Sequence, residues 1–76
     1  MRATCLDVSS HGACIECGEP IEIRAHLNLQ APAYGLMGNA SVRYCKPAGR
    51  KYRIGLEFSW AATLADTKDG GKEIKL

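Results

Sequence analysis

No run of apolar residues in this chain of 76 approaches the roughly 20 that carry a helix across a bilayer, which excludes a membrane-spanning helix. Charge of one sign is also scarce. A net charge of +2 and a pI near 8.4 suit an anionic ligand but fall well short of the basic patch of a DNA- or RNA-binding protein. Aromatic residues are few, and Tyr44, Tyr52 and Phe58 alternate into apolar faces, so no stacking platform for single-stranded nucleic acid is expected. A nucleophile beside a base, a carboxylate pair and a phosphate-cradling glycine loop are all missing, so no enzymatic activity is expected. No charged-then-apolar leader opens the sequence, and the expected compartment is the cytoplasm.

The cysteines Cys5, Cys14, Cys17 and Cys45 include one Cys14-Ile15-Glu16-Cys17 pair at zinc-like spacing. In a strand, residues three apart point to opposite faces, and no second pair follows. The four read as small apolar residues, with neither a metal nor a cofactor expected.

The length allows one domain, which at this size buries only about 60% of its unfolded surface. Residues 1–66 are expected to form it, and 67–76 a flexible tail. Alternation of apolar and polar residues is the dominant pattern. Ile21, Ile23, Ala25, Leu27 and Leu29 alternate with Glu22, Arg24, His26 and Asn28, predicting a half-buried antiparallel strand over Ile21–Leu29. Arg24 and His26 lie on its solvent face, where they can join a binding surface. Tyr52, Ile54, Leu56 and Phe58 alternate with Arg53, Gly55 and Glu57 in a second strong strand. A third, Met37 to Cys45, is expected to put Ala40, Val42 and Tyr44 on one face. Arg2 to Val8 reads as a strand with Leu6 and Val8 toward the core. Gln30 to Leu36 reads as a loop that folds Tyr34 onto the mouth of the core, and Lys46 to Lys51 as a basic hairpin loop. Ser59 is placed to cap a short helix, Trp60–Asp66. Glu73-Ile74-Lys75-Leu76 alternates like a strand but sits at a terminus, where it frays unless it fills an edge.

The chemically distinctive stretch is Asp7-Val8-Ser9-Ser10-His11-Gly12, between Ala3-Thr4-Cys5-Leu6 and Ala13-Cys14-Ile15. Asp and Ser side chains hydrogen-bond backbone groups a residue or two away and so hold tight turns. Gly12 offers a position without Cβ, suited to positive φ or to close approach by a ligand. Asp7 and Ser9 have two roles open to them: contact with a ligand on the domain surface, or capping of the turn.

Read as Asp-x-Ser-x-x-Gly, this stretch resembles the second signature of the PilZ domain. The late strand Tyr52-Arg53-Ile54-Gly55-Leu56-Glu57-Phe58 is similar to that family's C-terminal strand, and the likeness covers roughly Arg2 to Phe58. The resemblance implies an all-β fold, a small antiparallel PilZ-type barrel with a short C-terminal helix. It also implies a bacterial signalling module that binds cyclic di-GMP, or derives from domains that do. The ligand surface it implies is Arg2, Asp7, Ser9 and Gly12, with Gly55 close to it. An Arg-x-x-x-Arg stretch, whose guanidiniums hold the phosphates in the family, does not precede Asp7; only Arg2 falls on that side. Its first barrel strand is expected to be missing with it, leaving an unpaired edge and making a homodimer an expectation. The companion reading is an interaction module of the same fold that touches a protein partner or an upstream domain without the nucleotide.

Overall fold

The computed structural model describes residues 2–60 and 73–76. Six strands form a closed antiparallel barrel: β1 (Arg2–Val8), β2 (Gly12–Cys17), β3 (His26–Ala31), β4 (Leu36–Ala48), β5 (Lys51–Phe58) and β6 (Glu73–Lys75). Around the barrel they run β1-β2-β5-β4-β3-β6. The expected all-β architecture holds. The expected open edge does not, because β6 pairs with β1 through Ala3–Ile74 and touches β3 at Gln30–Lys75. The tail expected over 67–76 thus ends in a strand, with Ile74 fully buried. Closure also removes the open edge on which the expected homodimer rested. The expected helix Trp60–Asp66 lies outside the described residues from position 61 onward.

Alternation builds most of the core. Ala13, Ile15 and Cys17 of β2 face Ile54, Leu56 and Phe58 of β5 and the inward residues of β4. Two strands break the pattern. In β1 the pairing steps from Cys5–Ile15 to Asp7–Cys14, so Leu6 is an extra residue. This bulge turns Ala3, Cys5 and Val8 inward and leaves Leu6 40% exposed, a correction to the core face expected of β1. In β4 the pairing steps from Val42–Leu56 to Tyr44–Gly55, so Arg43 is the extra residue. Ala40 and Val42 stay inside, while Tyr44 turns to the outer surface instead of sharing their face.

The strand expected from Ile21 begins only at His26. Ahead of it the Ala25 amide donates to the Glu22 carbonyl at 3.1 Å, and Arg24 takes a left-handed φ of +73°. Ile23 is left 59% exposed. The Arg24 amide donates to Val42 O at 2.7 Å and Val42 N returns a bond to Ala25 O, anchoring this turn on β4. A left-handed residue with a Cβ costs roughly 1–2 kcal/mol, which glycine or asparagine would largely avoid.

The Pro32–Tyr34 segment forms a 3-10 turn that buries Tyr34 to 1% exposure, so the aromatic folds in as its loop position predicts. The basic loop expected over Lys46–Lys51 is shorter, since pairing runs to Ala48–Lys51 and only Gly49 and Arg50 turn the chain. Trp60 stacks on Phe58 with centroids 4.8 Å apart and lies against Gly38. Among the described residues no helix is long and apolar enough to cross a membrane.

Candidate functional site: the outer face of β1, β2, β5 and β4

Register alone assembles the site. Asp7 pairs with Cys14, Cys14 with Gly55, and Gly55 with Tyr44, so four strands contribute one outward row. The row floors an open concavity of about 240 Å³ bordered by Ser9, Gly12 and Arg43. Four of the five residues singled out from sequence, Asp7, Ser9, Gly12 and Gly55, therefore meet in one place. Arg2 does not join them. It stands five residues from Asp7 along β1, about 16 Å at ~3.3 Å per residue, and its Nε lies 3.7 Å from Glu73 Oε1.

The turn from β1 to β2 is held by its own side chains. Val8 N donates to Asp7 Oδ1 at 2.9 Å, and His11 N donates to Ser9 Oγ at 3.3 Å. Ser9 N and the Ser9 hydroxyl both donate to Gly12 O, at 2.8 and 3.4 Å. Asp7 and Ser9 thus do cap the turn, and each remains exposed beside the concavity.

Both glycines have a packing reason to lack a side chain. A Cβ on Gly12 would collide with the Leu56 carbonyl oxygen, so β2 and β5 approach here only because residue 12 is glycine. A Cβ on Gly55 would collide with the ring of Tyr44, which occupies the space above residue 55. Gly12 is not among the positive-φ residues; its function is close approach of a neighbouring strand rather than a special turn conformation.

Tyr44, Cys14 and Arg43 are the residues that sequence reasoning missed. The Tyr44 hydroxyl donates to Cys14 Sγ at 3.5 Å, and the Lys46 ammonium sits 5.3 Å from the ring centroid. The bond to Cys14, then desolvation, pushes the Tyr44 phenol above its ordinary pKa, because ionisation would remove the donated proton. Arg43, turned outward by its bulge, pairs with Glu57 across β4 and β5. Both partners are more than half exposed, so the pair contributes only about 0.2–1 kcal/mol and yields readily to a stronger anion. Cys14 and Cys17 lie on opposite faces of β2, as their spacing predicts, with Cys17 buried in the core. Among the described residues no group of three or more His, Cys, Asp or Glu is arranged to hold a metal ion.

The chain matches no known family model, and no curated protein or solved structure is significantly similar to it.

Proposed function

We propose that this barrel is a PilZ-like signalling module that takes cyclic di-GMP on the outer face of β1, β2, β5 and β4. It passes the binding event to a protein partner or an adjoining domain in the bacterial cytoplasm, and catalyses no reaction. The single observation that carries this reading is the convergence of Asp7, Ser9, Gly12 and Gly55 on one concavity beside an exposed ring and an arginine. The chemistry suits a planar, anionic, hydrogen-bonding ligand. Tyr44 offers a face for a base, Asp7 an acceptor for its amino and imino edge, and Arg43 a fork for phosphate.

A second reading keeps the fold and drops the nucleotide, leaving an interaction module that works through protein contacts. It is favoured by the position of Arg2, remote from the concavity and engaged near Glu73. Calorimetric titration with cyclic di-GMP at modest salt separates the two. The first reading predicts micromolar binding, weakened at least about tenfold by Asp7→Ala, a loss the size of one charge-assisted hydrogen bond. Because Asp7 also caps the turn, the variant's melting temperature is measured alongside. Absence of heat from a folded wild-type protein at high concentration contradicts the first reading and leaves the second.

A further inference from the structure

Beside the first concavity lies a larger one of about 550 Å³, bordered by Ile23, Arg24, His26, Ser41, Arg43 and Glu57. Arg43 lines both. Its two arginines stand at backbone irregularities. Arg24 occupies the left-handed position of the turn before β3, where glycine or asparagine would fit better. Arg43 is the extra residue of the β4 bulge, a device that re-aims a side chain. Neither guanidinium is required by the core, and both side chains are exposed. Between them, His26 pairs with Ser41 and Ser41 with Glu57 across β3, β4 and β5, adding an imidazole and a hydroxyl to the wall. The one carboxylate there, Glu57, is already engaged by Arg43.

We propose that Arg24 and Arg43, with Ser41 and His26, form a phosphate-binding subsite that holds the phosphodiester groups of the nucleotide whose base lies against Tyr44. This rests on the nucleotide-binding reading above and draws its two guanidiniums from the turn before β3 and from the bulge of β4. Glu57 acts as a placeholder: it occupies the Arg43 fork in the free protein and gives it up to phosphate.

Arg24→Gly is the informative variant, because glycine suits the left-handed turn and removes the guanidinium without loss of fold. Wild type, Arg24→Gly, Glu57→Gln and the double variant Arg43→Ala/Glu57→Gln are titrated with cyclic di-GMP by calorimetry. Each is also titrated with inorganic pyrophosphate while amide shifts are followed by NMR. The expected result is wild-type binding weakened about tenfold or more by Arg24→Gly and by the double variant. Glu57→Gln tightens binding, and Arg24→Gly keeps or raises the melting temperature. Wild-type binding that Arg24→Gly and the double variant leave unchanged overturns the subsite and spares the nucleotide reading. Pyrophosphate shifts at Ser41 and Arg43 that vanish in Arg24→Gly, with no response to cyclic di-GMP, establish a phosphate site and overturn the nucleotide reading. No response to either probe overturns both.

Discussion

A glycine on a sheet's outer face leaves a gap, and what fills the gap decides what the glycine does. Above Gly55 the filler is the Tyr44 ring, whose hydroxyl reaches Cys14 on the next strand but one. At Gly12 it is the backbone of β5 itself. The two positions therefore respond differently to the same substitution. Gly12→Ala drives a methyl into a carbonyl that cannot move without parting β2 from β5, and is expected to cost about 2 kcal/mol or more. Gly55→Ala meets a ring that can swing outward, so it is expected to cost less than Gly12→Ala while breaking the Tyr44–Cys14 contact. Denaturant midpoints, with the Tyr44 ring signals in NMR, check both. Equal losses of stability with an unmoved ring would contradict this account.

The two bulges decide how far the elements could be read. In β5 no residue is extra, so the alternation of Tyr52, Ile54, Leu56 and Phe58 in the sequence predicts its inward face correctly. In β1 and β4 one extra residue, Leu6 or Arg43, reverses inside and outside for everything beyond it. No local pattern marks either position, which is why Leu6 was expected inside and Tyr44 beside Val42. The stretch ahead of β3 misleads for another reason: Ile21 and Ile23 alternate like a strand, but Arg24 turns left-handed and ties back to Val42. The motif Asp7–Gly12 was legible because its contacts are local. Cys14, Arg43 and Tyr44 were not, because cross-strand register and a bulge bring them together. The last strand shows how much a short element can matter. Ile74 is fully buried between β1 and β3, and Ile74→Ala is expected to cost about 2–5 kcal/mol. At roughly 0.05–0.15 kcal/mol per residue the whole chain has only about 4–11 kcal/mol, so this variant should be partly unfolded or sharply less stable by thermal melting. Unchanged melting would mean that β6 does not close the barrel.

Closure organises the whole molecule. With all six strands paired, the core is sealed by short segments such as those carrying Tyr34 and Ile74, and the outer face of β1, β2, β5 and β4 is turned to solvent. That face gathers residues far apart in the sequence, from Asp7 to Gly55, and adds the exposed Tyr44 ring and Arg43, with Arg24 lining the neighbouring concavity. Arg2, at the other end of β1, stands apart from that face beside Glu73. The most direct test is a titration of the isotopically labelled chain with cyclic di-GMP, following every backbone amide by NMR. Binding at the proposed site predicts saturable shifts centred on Asp7, Cys14, Arg43, Tyr44 and Gly55, extending to Arg24 and Ser41, with the amides around Arg2 and Lys75 unmoved. Shifts confined to the Arg2 and Lys75 region, or no shifts at all, would contradict it.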